Sequence, residues 1–271
     1  MNMKRLGIDG QTVFGLAPLE HIALAKKLGC GHISIALSQA PWKLPDVGEW
    51  SLREDARLRR DVVAASADSG VSLSLGEGFA IRPNVQVRDF AKDLDLMAEM
   101  GVRSVGTVGL GADVAQAKDQ LAQLSELTAE RGLILLLEFA PPHAFPGLLE
   151  AAAALCELGR ANIKLNLDVM HFYRCGNTAG QLEALPRSLI GRAQLCDAKL
   201  LDQGKAYMEE ACFERLLPGE GEIPLEEFLA ALPQDLPIGI ETPNRDAVPD
   251  KSHLLAHVRQ AVEMSVQILR S

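Results

Sequence analysis

Eight short apolar runs alternate with longer stretches of helical period along this chain, and that alternation constrains its fold more than any other feature. The runs are RLGID (5–9), HISIAL (32–37), VSLSLGEG (71–78), VRSVGTVG (102–109), LILLLEF (133–139), IKLNLD (163–168), GRAQLC (191–196) and PIGIET (237–242). Short, nearly unbroken apolar runs suit strands buried on both faces, as in a parallel sheet. Between them, PLEHIALAKKLGC, LREDARLRRDVVAASADSG, DFAKDLDLMAEMG and ADVAQAKDQLAQLSELTAERG place apolar residues three and four apart, the spacing of one helix face. Several of these segments end in Gly, as helix C-caps do. Eight strand-helix units predict a single (β/α)8 TIM barrel over residues 1–271, with its active site at the C-terminal ends of the strands. The competing architecture is a doubly wound open sheet, but QTVFG follows GIDG where a dinucleotide fingerprint would need GxGxxG.

At 271 residues and 48% hydrophobic, the chain can bury most of its apolar surface around one core. A net charge of -9, with no dense run of Lys or Arg, argues against nucleic acid as a partner. Its five cysteines are odd in number, scattered and free of CxxC pairs, so they read as reduced thiols in a cytoplasmic protein. No stretch approaches ~18 uncharged apolar residues, so no membrane span is expected. The longer stretches 38–54 and 201–222 read as loops or short helices over one mouth of the barrel. Phe14, Trp42 and Trp50 would either wall that mouth or simply pin its loops.

Polar residues at the strand ends carry the functional signal. Glu138 closes LILLLE, Asp168 closes IKLNLD, Gln194 sits near the end of GRAQL, and Glu241 closes PIGIE. Taken singly, each reads as a cap or a satisfied buried amide. In a closed barrel the same four would converge, and crowded carboxylates raise one another's pKa unless a cation neutralises them. Four oxygen donors without a thiolate favour Mn2+ or Mg2+, with Co2+ or Zn2+ still open. His171, three residues beyond Asp168, is either a structural histidine or an acid/base group at the mouth. Arg215 suits a carboxylate, a phosphate or a developing enolate, and Arg174 and Lys199 are weaker candidates for that task. Lys199 reads better as a solvated charge. His143, just past Glu138, either lines the pocket or stands idle in a loop. Pro218, Gly219 and Gly221 read as turn residues.

Taken in order, LLLEF, LDVMHFYRCG, AQLCDAKL, RLLPGEGEIPL and IGIETP resemble a known set of motifs. They look like the Glu, Asp-x-x-His, His-x-x-Asp, Arg-x-x-Pro-Gly-x-Gly and final Glu signatures of xylose-isomerase-like TIM barrels, the sugar phosphate isomerases/epimerases. The resemblance covers nearly the whole chain. It implies that Glu138, Asp168, Gln194 and Glu241 bind the metal, that His171 and Arg215 contact substrate, and that Asp197 orients a ligand or Arg215. It also allows a homo-oligomer. Most relatives have His where this chain has Gln194, and Gln there is similar to some dehydroshikimate dehydratases.

The implied reaction is proton abstraction alpha to a carbonyl, with Glu138 and Glu241 flanking the substrate as acid and base. Return of the proton to the neighbouring carbon gives an isomerase, and return to the opposite face gives an epimerase. Loss of a beta hydroxyl, assisted by His171, gives a dehydratase of the dehydroshikimate or inosose type. The expected substrate is a small polyhydroxy carbonyl compound, a sugar or sugar phosphate. An endonuclease on the same barrel would need more histidine ligands and a basic groove than six His and a charge of -9 supply. A non-catalytic sugar-binding barrel is the remaining alternative.

Overall fold

A computed structural model describes residues 3–40, 42–201 and 206–270 of the chain. Pro41 and residues 202–205, which belong to the two long stretches expected over the barrel mouth, lie outside the described residues.

Eight parallel strands close into one barrel in sequence order. They are β1 (Leu6–Ile8), β2 (His32–Ala36), β3 (Ser72–Glu77), β4 (Ser104–Thr107), β5 (Ile134–Glu138), β6 (Ile163–Asp168), β7 (Ile190–Leu195) and β8 (Ile238–Ile240). Closure comes from β1 pairing with β8, with Gly7 opposite Gly239. The helices are α1 (Pro18–Lys27), α2 (Ala56–Ser69), α3 (Ala91–Glu99), α4 (Val114–Ala129), α5 (Leu148–Leu158), α6 (Val169–Arg174), α7 (Ala179–Glu183), α8 (Tyr207–Phe213), α9 (Leu225–Ala231) and α10 (Lys251–Ile268). All eight expected strands are present, each trimmed or shifted by at most two residues at either end. None of the described helices is long and apolar enough to cross a membrane.

Local chemistry sets the element boundaries. Asp55 caps α2 by accepting from the backbone N–H of Arg57 and Leu58, both at 2.9 Å. Gly70 then ends that helix at φ 72°, a conformation open to Gly at little cost. The stretch expected as a loop at 38–54 is tied down through the Gly15 carbonyl, which accepts from Gln39 Nε2 at 2.8 Å and Trp50 Nε1 at 2.9 Å.

The interior of the barrel is not wholly apolar. Arg192, on β7, is 2% exposed and forms an ion pair with Asp9, while its Nη1 donates to Ser74 Oγ at 3.1 Å. A Cβ on Gly239 would collide with both members of that pair, so the missing side chain there makes room for the buried guanidinium. Burial raises the Asp9 carboxyl and Arg192 opposes the rise.

Candidate active site

Asp168 does two things at once. As the last residue of β6 it caps α6, accepting from the His171 backbone N–H at 2.9 Å, and it also meets the Arg215 guanidinium. The cap turns His171 back over the barrel, where its Nε2 lies 3.3 Å from Glu138 Oε1. Its Nδ1 is hydrogen-bonded to the Tyr207 hydroxyl at 2.6 Å, so α8 fixes the imidazole from above.

The sheet register brings the other strand-end groups together. Glu138 stands beside Asn166, and Asp168 beside Gln194. Asn166 Nδ2 donates to Glu138 Oε2 at 2.7 Å and to Gln194 Oε1. Gln194 Nε2 donates in turn to Glu241 Oε1 at 2.7 Å and Asp9 Oδ2 at 3.0 Å. Arg215, 2% exposed, sits between two of the acids: its Nη1 contacts Asp168 Oδ2 and lies 3.1 Å from Glu241 Oε2.

The expected meeting of four oxygens at one point therefore takes a different form. Glu138, Gln194 and Glu241 line one cavity of about 350 Å³, while Asp168 lies behind Arg215. Among the described residues no three His, Cys, Asp or Glu side chains stand in metal-holding geometry. The physical reason is charge satisfaction: the guanidinium and the amide N–H groups of Gln194 already occupy the faces that the acids turn to one another.

Electrostatics show how crowded the acids are. Burial pushes Glu241 well above the usual carboxylate range; Arg215 opposes this, and Glu138, Asp168 and Asp9 add to it. Burial would raise Asp168 too, but Arg215 and His171 hold it below its ordinary value. Glu77, closing β3, is pushed up to about 7 by burial and by Asp9. Asp9, Glu77, Glu138, Asp168 and Glu241 thus gather around two buried guanidiniums, Arg192 and Arg215. By donor chemistry this excess of oxygen and negative charge fits a divalent cation.

The remaining candidates separate. Arg174 does not line the cavity; its Nη2 is 2.8 Å from Glu210 Oε1 and its Nε donates to the Lys199 carbonyl, so its charge holds α6 to α8. Lys199 pairs with Glu222 at the surface, as the solvated reading had it. Asp197 does not reach the Arg215 guanidinium. Its carboxylate accepts from the backbone N–H of Ala198, Gly219 and Ile223, and its backbone pairs with Leu216, so it positions Arg215 through the chain. His143 does line the cavity, and neither ring nitrogen has a partner among the described residues.

Asp9, Glu77, Asn166 and Tyr207 were not among the sequence candidates. Asp9 and Glu77 carry the signal used for the later strands, an acid where an apolar run ends. Asn166, inside a run, and Tyr207, on a helix over the mouth, carry no comparable mark.

A family model described as xylose isomerase-like TIM barrel matches residues 22–268. No curated protein matches the sequence. Among solved structures, the IOLI protein with a bound zinc atom is 18% identical over 97% of both chains, with a TM-score of 0.76. The probable 3-DHS dehydratase AsbF of Bacillus anthracis is 14% identical, covering 98% of this chain and 99% of its own, with a TM-score of 0.76. D-psicose 3-epimerase of Clostridium cellulolyticum H10 is 14% identical, covering 97% of this chain and 99% of its own, with a TM-score of 0.71. At such identities the likeness is one of fold.

Proposed function

Because the chain belongs to the xylose isomerase-like TIM barrel family, we propose that it is a divalent-metal-dependent isomerase or epimerase of a small polyhydroxylated carbonyl compound. The observation that carries this reading is the cavity at the strand ends. It presents Glu138 and Glu241 from β5 and the end of β8, with unpartnered polar atoms on His143 and Asn166 between which substrate hydroxyls would fit. Neighbours of the same fold carry epimerase and dehydratase descriptions, which agrees with it.

Glu138 and Glu241, with Gln194 through its Oε1, would hold the cation, Mn2+ or Mg2+ by their oxygen character, and Asp168 would join them only on release from Arg215. When bound, such an ion supplies polarisation of a carbonyl or adjacent hydroxyl, lowering the cost of removing the neighbouring carbon-bound proton. The chain's own groups do the rest. One of Glu138 and Glu241 takes the proton and the other returns it, the work of a matched acid and base. His171, braced by Tyr207, holds Glu138 in place. Arg215 holds Asp168 and Glu241 through Nη1 and the Ala211 carbonyl through Nε, and its Nη2, 3.5 Å from His171 Nε2 in the cavity wall, would meet the substrate.

A second reading, a dehydratase of the dehydroshikimate or inosose type, is favoured by one observation. Gln194 occupies the position of the signature histidine, which leaves His171, 3.3 Å from Glu138, as the imidazole beside the proposed base. There it can protonate a departing beta hydroxyl.

The test is proton NMR in D2O of the Mg2+-loaded protein with ketoses, ketose phosphates, inosose and dehydroshikimate. Deuterium entering an intact carbon skeleton, with a new isomer, is the expected result. Olefinic or aromatic signals would select the dehydratase. No exchange with any of these compounds would count against both.

A further inference from the structure

A second cavity, about 370 Å³, adjoins the catalytic one, and the two share Gln11, Glu77 and Cys212 in their walls. Its character is different. Phe14 and Trp42 meet edge to face at 4.3 Å, and Trp42 meets Phe213 at 5.7 Å. Trp50 completes the wall with its one polar atom already committed to the Gly15 carbonyl at 2.9 Å. No Lys or Arg lines this cavity among the described residues, so a phosphate would find no counter-ion there.

Of the buried polar groups in this wall, Ser34 and Glu77 satisfy each other, which leaves one imidazole nitrogen unpaired. His21, 4% exposed, has its ring against the Ile8 backbone, and its Nε2 is without a hydrogen-bond partner among the described residues. Burial pulls this imidazole down to about 4, so it is neutral at physiological pH and offers a single ring nitrogen to a ligand. A buried polar atom without a hydrogen-bond partner is costly, and a hydroxyl-bearing occupant would satisfy it.

We propose that this cavity is a substrate subsite for an apolar ring carrying a hydroxyl, so that the compound turned over is an aryl- or similarly ring-substituted hydroxy-carbonyl rather than a free sugar phosphate. The identification of the occupant as part of the substrate rests on the reaction proposed above, and continuity of the two cavities supports it. Space is ample, since a benzene ring is held by an engineered cavity of roughly 150 Å³.

Both tryptophans of the chain line this cavity, so intrinsic fluorescence reads it directly. The protein is titrated with p-cresol, toluene and D-fructose. Saturable quenching by p-cresol and toluene, and none by D-fructose, is expected. His21→Phe should weaken p-cresol at least tenfold and toluene less than twofold. Ala40→Phe, at an exposed position of the lining, should weaken both without touching the core. 2-Hydroxyacetophenone should bind at least tenfold more tightly than hydroxyacetone and lose that advantage in Ala40→Phe. Absence of saturable p-cresol binding, binding unchanged in Ala40→Phe, or quenching by D-fructose alone would overturn the subsite. Equal losses of p-cresol and toluene in His21→Phe would overturn its hydroxyl contact, and no advantage for 2-hydroxyacetophenone its link to substrate. Cresol binding needs neither metal nor turnover, so its failure leaves the catalytic reading standing, and absence of deuterium exchange leaves the subsite standing.

Discussion

Glu77 illustrates how burial writes pH dependence into a single residue. Its carboxyl is raised from 4.5 to about 7 by burial and by Asp9. Across that window the folded chain keeps a proton that the unfolded chain has released, so this group's contribution to stability falls as pH rises. Glu77→Gln removes the titration. Between pH 4 and 8 its stability relative to the unmodified chain should improve by up to about 3 kcal/mol, read by urea denaturation at each pH; parallel pH profiles would contradict the assignment. For the proposed acid and base, Glu138→Gln and Glu241→Gln should each lower turnover by about 10²–10⁴ with the near-UV circular dichroism unchanged. Full activity in both would remove them from the mechanism. These acids were legible because a carboxylate is out of place at the end of an apolar strand. Asp9 and Glu77 carry the same mark in the first half of the chain, where runs such as VSLSLGEG continue past the acid into glycine and blur the strand end.

At the scale of the element, the segment from Arg215 to Ile223 shows how a turn serves a site. The Asp197 carboxylate gathers the backbone N–H groups of Gly219 and Ile223 at 2.9 and 3.1 Å. Gly221 must lie against it: an added Cβ would collide with Asp197 Oδ1 and come within 2.5 Å of the Ala198 carbonyl oxygen. Backbone cannot yield as a flexible side chain does, so Gly221→Ala should cost about 1–3 kcal/mol of stability and shift Arg215. Urea denaturation measures the first part, and a loss below about 0.5 kcal/mol, the ordinary range for a surface substitution, would show that the packing is looser. The turn was readable from its Pro and Gly, but its purpose was not. That depends on Asp197, more than twenty residues earlier, meeting it across a bridge to Leu216. Register explains the other omissions. β6 pairs with β5 without a break, so Lys164, Asn166 and Asp168 share one phase of the alternation, and IKLNLD alone does not tell which of these polar side chains lines the cavity.

The whole molecule is a barrel whose closure was legible because parallel strands buried on both faces leave apolar runs bounded by helix-capping glycines. What the pattern of runs does not encode is how the loops fold back over the mouth. Arg174 reads as a cation near the site, yet α8 brings Glu210 to it and takes it out of the cavity. Charge balance is likewise a property of the assembled barrel. Acids from β3, β5, β6 and the ends of β1 and β8 meet around Arg192 and Arg215, a surplus that no single segment reveals. The central claim, that this surplus is the seat of a divalent cation, is tested most directly by calorimetric titration of the metal-free protein with Mn2+. The account predicts one ion per chain, an accompanying rise in Tm through preferential binding to the folded state, and loss of both in Glu138→Gln/Glu241→Gln. No binding to the unmodified chain, or binding unchanged in the double variant, would contradict it.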